Sequence, residues 1–204
     1  MEYINKENNV EFFDQMASEW NKGVPNHAMA CIDRLVERFD ITSGRSILDV
    51  ASGTGILLSR LSALQIHPRS YAAIDISNKM LNQLALHFPG TRTYCLDFEK
   101  DVTLNEPFDL VIIYNSIPHF QNLDAVFRNA YQNLHNNGKF VIAHSRTRAG
   151  LKEHHEKIGY VSPIDPIPSD RRLVQLSKKY HFQNVMLQDE EFFCYSGEKK
   201  RGEN

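Results

Sequence analysis

The chain has 204 residues, of which 42% are hydrophobic and 24% charged, and its formal net charge is -2. This size and composition predict one globular domain with a sizeable core. The balanced charge, without a large cluster of lysines and arginines, argues against a nucleic acid as partner. The three cysteines are scattered and form no CxxC pair, which argues against a disulfide framework or a cysteine zinc site. The N-terminus lacks the apolar core of a signal peptide, and no apolar run is long enough to span a membrane, so we expect a cytoplasmic protein without membrane contact.

The first 44 residues predict two helices that form an N-terminal lid. In the first helix, predicted over residues 7–21, Phe13, Met16 and Trp20 recur at spacings of three and four and make one apolar stripe. This stripe either packs on the domain or closes over a ligand. A second helix follows the break at residues 23–26 and ends before Thr42.

Strands and helices then alternate, which predicts a parallel sheet and a cofactor-binding core over residues 45–145. The expected strands are 46–50, 71–75, 91–96, 108–114 and 139–143, and the expected helices are 55–64, 77–88 and 121–135. Residues 146–204 form the expected substrate side. They comprise helices near 147–159 and 169–180, a Pro-rich loop over 160–169, and a closing hairpin of 182–188 with 191–195.

A small-residue turn follows the first strand and opens the next helix. Ser52, Gly53 and Gly55 allow a tight turn and a close approach of a ligand to the backbone, as in nucleotide-binding corners of α/β folds. A dinucleotide would prefer a complete G-x-G-x-x-G, and the turn has Ala51 at the first of its small positions. The carboxylate of Asp49 also disfavours a phosphate and suits a cationic ligand group.

Polar residues follow the other predicted strands, where parallel sheets bind their ligands. Asp75 ends the second strand about 20 residues after Gly53, which is the spacing expected of an acid that binds ribose hydroxyls. Asp97 and Phe98 end the third strand, and Asn115 follows the fourth. The sequence therefore predicts a nucleoside-containing cofactor at this edge.

Four motifs together resemble those of class I S-adenosylmethionine-dependent methyltransferases. They lie in order within residues 10–145 and are Asp49–Gly55, Ala73–Ser77 with Met80 and Leu81, Cys95–Phe98, and Phe108–Val111 followed by Leu134 and Gly138. The resemblance implies a Rossmann-like α/β fold with a seven-stranded, mostly parallel sheet, helices on both faces and an antiparallel final strand. It also implies an enzyme that uses S-adenosyl-L-methionine as cofactor.

The resemblance assigns roles by position. It implies that Asp49 and the Gly53–Gly55 turn hold the methionine part of the cofactor. It implies that Asp75 holds the ribose hydroxyls and Asp97 the adenine amino group, with the ring between Ile76 and Phe98. Asn115 would lie near the sulfonium. The predicted cofactor-binding set is Phe13, Trp20, Asp49, Ala51, Ser52, Gly53, Gly55, Asp75, Ile76, Met80, Asp97, Phe98 and Asn115.

Three histidines are the predicted catalytic residues, because a base is needed when the attacking atom is protonated. They are His119, His144 and His155. They act as a base or orient the substrate, or they only line the pocket mouth. A metal bound by these histidines is a further alternative that we do not predict, since their spacing is not that of a metal site. Arg146 and Arg148 are candidates to pair with an anionic substrate, or with Glu153 and Glu156.

The chain carries no basic face and no added recognition domain, so we expect a small-molecule methyl acceptor and no nucleic-acid partner. Two alternatives remain open: a non-catalytic S-adenosylmethionine-binding regulatory protein of the same fold, and a nicotinamide-dependent oxidoreductase. The sequence predicts neither the accepting atom nor the oligomeric state.

Overall fold

Seven strands form one sheet in the computed structural model, which describes residues 6–159 and 165–200. The strands are β1 (Ser46–Val50), β2 (Ser70–Asp75), β3 (Arg92–Cys95), β4 (Phe108–Tyr114), β5 (Leu134–His144), β6 (Phe182–Asp189) and β7 (Phe193–Lys199). Their order is β3-β2-β1-β4-β5-β7-β6, and β1 to β5 pair in parallel. β7 is antiparallel to both of its neighbours, which confirms the predicted Rossmann-like sheet with an antiparallel final strand.

Seven α-helices accompany this sheet in the described part of the chain. They are α1 (Lys6–Met16), α2 (Asn26–Arg38), α3 (Ile56–Ala63), α4 (Asn78–His87), α5 (Leu123–Gln132), α6 (Arg148–Lys157) and α7 (Asp170–Lys179). A 3-10 helix, Ile117–His119, follows β4. No helix in residues 6–159 and 165–200 has the length and hydropathy needed to cross a membrane. Residues 160–164 of the predicted Pro-rich loop lie outside the described residues.

Alternate residues of the central strands enter two separate cores, because successive side chains of a strand point to opposite faces. On one face, Leu48 and Val50 pack with residues of α5 and α7. On the other face, Ile47 packs with residues of α2 and α3. Both faces of the central strands are therefore buried, as their continuous apolar runs predicted.

The end of α5 differs from the prediction of a helix to residue 135 and a strand from 139. The helix ends at Gln132 and β5 already begins at Leu134. The buried Asn133 holds the chain at this point, because its side-chain amide donates to Val102 O and its Oδ1 accepts from Leu104 N, each at 2.8 Å. Asn133 O also accepts from Phe108 N at 2.8 Å, which brings Leu134 into register with β4.

The N-terminal helix is also shorter than the predicted 7–21. α1 ends at Met16, and residues 17–23 form turns instead. Two side chains fasten this region to the sheet. Asp14 Oδ1 accepts from Ser77 Oγ at 2.5 Å, and Asn21 Oδ1 accepts from Thr54 Oγ1 at 2.7 Å. The region is therefore held by the turn after β1, through Thr54, and by the start of α4, through Ser77.

Gly138 of β5 lies next to Phe108 at the start of β4, with which β5 pairs. We predict that Gly138→Ala destabilises the protein. A Cβ at this position would lie 2.9 Å from both Phe108 O and His135 O, which are backbone atoms and cannot rotate away. We expect a loss of about 1–3 kcal/mol in the free energy of unfolding, measured with urea. Gly44→Ala is the control, because its Cβ would meet only Thr42 Oγ1 at 3.8 Å. Equal stability of the two variants would contradict the assigned crowding.

Candidate active site

A cleft opens at the carboxyl ends of β1 to β4, beside the point between β1 and β4 where the strand order reverses. Its empty volume is about 770 Å³, including the part open to solvent, which is within the range of small-molecule sites. It is lined by Phe13, Trp20, Ala51, Gly53, Ile74, Asp75, Ile76, Met80, Leu96, Asp97, Phe98, Glu99, Asn115, Ser116, His119 and Phe120.

The turn after β1 forms the floor of this cleft. Ala51, Gly53 and Gly55 all adopt positive φ, at 54°, 55° and 88°. This conformation costs an alanine roughly 1–2 kcal/mol, so Ala51 carries strain that a glycine would not. Ser116 Oγ donates to Ala51 O at 3.1 Å and helps to hold it. The turn thereby exposes backbone on the side where a ligand can approach.

Asp75 is held in the cleft by two backbone amides. Its Oδ2 accepts from Gly53 N at 2.8 Å and its Oδ1 accepts from Ser77 N at 2.9 Å. Burial raises the pKa of this carboxyl, and the two amide hydrogen bonds oppose the rise. Each carboxylate oxygen has a second lone pair, so Asp75 can accept further hydrogen bonds from ligand hydroxyls.

The third and fourth strands add residues with mixed roles. Asp97 lines the cleft, and its Oδ1 accepts from Glu99 N at 2.9 Å. Phe98 lines the cleft but is also buried in the main core, so it packs in both environments. Asn115 has a φ of 56°, and its Oδ1 accepts from Ser145 N at 2.7 Å. That hydrogen bond joins the end of β4 to the end of β5.

Aromatic side chains of the N-terminal region cover one side of the cleft. The ring of Phe13 meets Trp20 edge to face at 5.5 Å and His119 edge to face at 5.2 Å between ring centroids. The indole nitrogen of Trp20 lies close to Gly53, at 3.6 Å from an ideal Cβ there. Phe13 therefore connects the turn after β1 to the 3-10 helix.

Three predicted cofactor residues, Asp49, Ser52 and Gly55, do not line the cleft. Asp49 is buried, and its Oδ2 accepts from Tyr71 Oη at 2.5 Å. This placement gives a direct contact between Asp49 and the methionine part of the cofactor no support. Gly55 instead allows α3 and α4 to pack closely, because a Cβ there would lie 2.9 Å from Leu84 Cγ.

The three predicted catalytic histidines are near one another, but only His119 lines the cleft. His144 is buried, and its Nδ1 lies 3.1 Å from Arg146 N and 3.3 Å from Arg146 O. Burial lowers the pKa of His144 to about 4. The pKa of His119 and of His155 is also lowered. Burial is the larger cause for each ring, and the charge of a neighbouring histidine adds to it. All three rings are therefore mainly neutral at pH 7.

The metal alternative receives no support from the residues that the structure describes. Among them, no three His, Cys, Asp or Glu side chains converge as metal ligands would. Arg148 is engaged in fold contacts, since it pairs with Asp170 at 2.7 Å and with Asp189 at 3.2 Å. Glu153 pairs with Lys157 rather than with an arginine.

Five lining residues escaped the sequence-based prediction: Ile74, Leu96, Glu99, Ser116 and Phe120. Glu99 holds the loop before α5, because its Oε1 accepts from Gln121 N at 2.6 Å and from Asn122 N. Because Glu99 comes two residues after Asp97, which was predicted to bind the cofactor, its position in the sequence could have indicated that it lines the cleft. Leu96 and Ile74 adjoin predicted residues at strand ends, and the same argument would have included them.

Comparisons with known proteins agree with this geometry. A family model described as a methyltransferase domain matches residues 48–140. The malonyl-[acyl-carrier protein] O-methyltransferase of Bacillus cereus is 30% identical over 119 residues, which are 57% of this chain and 43% of the relative. The match therefore spans less than half of that relative.

Two solved structures share the fold. A Methanococcus maripaludis protein assigned as an S-adenosyl-L-methionine-dependent methyltransferase has a TM-score of 0.69 and 18% identity, covering 100% of this chain and 97% of that chain. A chain in the complex between the Haloferax volcanii Trm112 methyltransferase activator and a methyltransferase has a TM-score of 0.73 and 13% identity, covering 93% and 98%.

These similarities are consistent with a class I S-adenosylmethionine-dependent methyltransferase.

Asp49 gives the protein a testable pH dependence. Burial, opposed by the Tyr71 hydrogen bond and reinforced by the charge of Asp75, raises the pKa of Asp49 to about 7. The folded state therefore holds this proton more tightly than the unfolded state, in which a carboxyl has a pKa of about 3.9. The resulting stabilisation is complete below about pH 4 and is lost as the pH rises through about 7.

We predict that Asp49→Asn, which cannot ionise, gains stability relative to the parent between about pH 4 and 7, by on the order of 3 kcal/mol at the upper end. Urea unfolding at several pH values measures the difference. His144 acts in the opposite direction, because its lowered pKa makes stability rise from about pH 4 to 6.5. This contribution is common to the parent and the variant. The difference between their unfolding free energies at each pH therefore isolates Asp49. Asp101→Asn, at an exposed side chain, is the control. A pH-independent difference would refute the assignment.

Proposed function

We propose that this methyltransferase moves a methyl group from S-adenosyl-L-methionine to a small-molecule acceptor that enters beside His119. The observation that carries the proposal is the set of acids at adjoining strand ends. Asp75 and Asp97 line one cleft together with apolar walls and the positive-φ turn. Hydroxyl and amino donors of an adenosine would find acceptors there, and the ring would find Ile76 and Phe98.

The chain's residues fit the cofactor, which supplies an activated methyl group when bound. Asp75 and Asp97 would hold the ribose and adenine, the backbone of the turn would hold the methionine part, and Asn115 would lie near the reacting end. Asp49 would act indirectly, by supporting the turn from below. Acceleration would come chiefly from alignment and exclusion of water, because in-line positioning of two reactants can supply several kcal/mol.

The division of the chain follows from this proposal. Residues 1–44 serve as a helical lid, residues 45–145 as the cofactor-binding core, and residues 146–204 as the acceptor side. The positions of two aromatic rings favour the lid assignment. The ring of Trp20 lies close to Gly53 of the turn, and the ring of Phe13 lies beside His119. His119, His144 and His155 act on the acceptor, as a base where the accepting atom is protonated or as orienting groups.

Calorimetry with S-adenosylmethionine, S-adenosylhomocysteine and NAD tests the cofactor. We expect the first two to bind and NAD not to bind. The single tryptophan, Trp20, lines the cleft, so its fluorescence gives an independent reading of the same titrations. NAD binding alone would refute the proposal. Transfer of a labelled methyl group to a metabolite panel then separates catalysis from binding, and binding without transfer to any acceptor would favour the regulatory alternative.

We predict that Asp75→Asn weakens S-adenosylhomocysteine binding by about tenfold or more, because charged hydrogen bonds contribute roughly 1.5–3 kcal/mol each. Asparagine keeps one oxygen for a backbone amide and limits damage to the turn. The thermal midpoint of each variant is measured first, and affinity is compared on folded protein by calorimetry. Asp101→Asn, at an exposed acid, is the matched control and keeps parental affinity. Parental affinity of Asp75→Asn would show that β2 does not hold the ribose.

A further inference from the structure

The buried carboxylate of Glu99 connects two walls of the cleft. Glu99 follows β3 and lines the cleft, and its side chain reaches the segment that precedes α5. Its Oε1 accepts hydrogen bonds from Gln121 N at 2.6 Å and from Asn122 N. These partners lie 22 and 23 residues further along the chain, so the contact joins segments that local structure alone does not join.

Asp97 and Phe98 line the cleft just before Glu99, and we call them the β3 wall. Their backbone is held from α5 by a second buried side chain, because Asn129 Nδ2 donates to Phe98 O at 2.8 Å and to Lys100 O at 2.5 Å. Lys100 N also donates to Asp97 O at 3.0 Å, which closes a tight turn. Helix α5 is itself anchored in the main core. The β3 wall is therefore fixed by contacts that do not include the carboxylate of Glu99.

His119 and Phe120 line the cleft between β4 and α5, and we call them the β4 wall. His119 N donates to Ser116 O at 3.0 Å. Phe120 N donates to Ile117 O at 3.2 Å. Both turns are local and leave the distance to the end of β3 undefined. Glu99 defines that distance, because its carboxylate holds the backbone directly after Phe120.

The place of this carboxylate favours a firm tether. Asn122 is the N-cap of α5, since its Oδ1 accepts from Ala125 N at 3.1 Å. A capping box would bind the N-cap amide with a Glu at the third helical position, which is Ala125 here, so Glu99 supplies this acceptor from another segment. The helix dipole stabilises negative charge at this end, and a charged acceptor makes a stronger hydrogen bond than a neutral one.

We propose that Glu99 is a positioning residue for methyl transfer, which fixes the β4 wall against the β3 wall. This inference rests on the proposed function, in which the β3 wall holds the adenine and the acceptor enters beside His119. Loss of the Glu99 carboxylate displaces the β4 wall and leaves cofactor binding largely intact, because Asn129 continues to hold the β3 wall.

Amide hydrogen exchange in the folded protein tests the tether. Glu99→Ala removes the acceptor oxygen, so we expect the N–H groups of Gln121 and Asn122 to exchange about tenfold faster, resolved by NMR for each amide. Glu99→Gln keeps an oxygen that can accept from both N–H groups, and its rates should stay within about threefold of the parent. Leu104 N, which donates to Asn133 Oδ1 at 2.8 Å, is the internal reference and keeps its rate.

The ring of His119 gives a signature of the displaced wall. It meets the ring of Phe13 edge to face at 5.2 Å between centroids, so its ring resonances depend on this geometry. We expect Glu99→Ala to move them and Glu99→Gln to leave them close to parental. The exposed His67 and His87 serve as references. A Glu99 that only stabilised the fold would lower the unfolding midpoint and leave the His119 resonances of the folded protein unchanged.

Calorimetry with S-adenosylhomocysteine separates the two walls. We expect Glu99→Ala to keep the affinity within about threefold of the parent, whereas Asn129→Ala, which releases Phe98 O and Lys100 O, weakens it about tenfold. Asp101→Asn, at an exposed acid between β3 and β4, is the matched control and keeps parental affinity and exchange rates.

Glu99→Asp replaces Glu99→Ala if the latter does not fold. Aspartate keeps the charge but is one methylene shorter, so we expect the same two amides to exchange faster. Parental exchange at both amides, or parental His119 resonances, would overturn the positioning role, as would equal losses of affinity in Glu99→Ala and Asn129→Ala. The two proposals fail separately. A parent that does not bind S-adenosylhomocysteine would refute the proposed function, whereas cofactor binding with parental exchange in Glu99→Ala would refute only the role of Glu99.

Discussion

The carboxylate of Asp75 joins parts of the cleft that the chain supplies separately. Its two oxygens hold Gly53 of the turn and Ser77 at the start of α4, and Ser77 Oγ in turn donates to Asp14 of α1. The amide hydrogen bonds offset the cost of burying the charge. One side chain therefore sets the position of the turn relative to α4, and through Ser77 the position of the N-terminal helix.

The charges of the cleft are separated by sign. Acids occupy the ends of β2 and β3, with Asp75 and Asp97, whereas Arg146 and the histidines surround the end of β5. This separation follows from the parallel sheet, which brings the carboxyl ends of all these strands to one edge but keeps their lateral order. A cationic group of the proposed cofactor would therefore meet complementary charge on the side of β2 and β3.

The sequence was sufficient for the sheet and for much of the cleft, because both depend on local periodicity. Buried strands with acids at their ends must place those acids on a common edge. The placement of Asp49 needed more than this. Asp49 pairs with Ala73, so Tyr71 of β2 is its diagonal neighbour, and this register decides where its carboxylate points. Register and side-chain direction arise from tertiary packing, as does the early start of β5 behind Asn133.

The predicted catalytic histidines show the same limit at longer range, since His119, His144 and His155 lie on three different elements of the chain. Helix α1 connects His119, the predicted catalytic histidine that lines the cleft, with the turn after β1. Phe13 touches both His119 and Trp20, and Trp20 lies close to Gly53. A ligand that displaced Phe13 from one side would therefore also change the packing on the other side, and thermodynamic linkage would make this coupling equal in both directions.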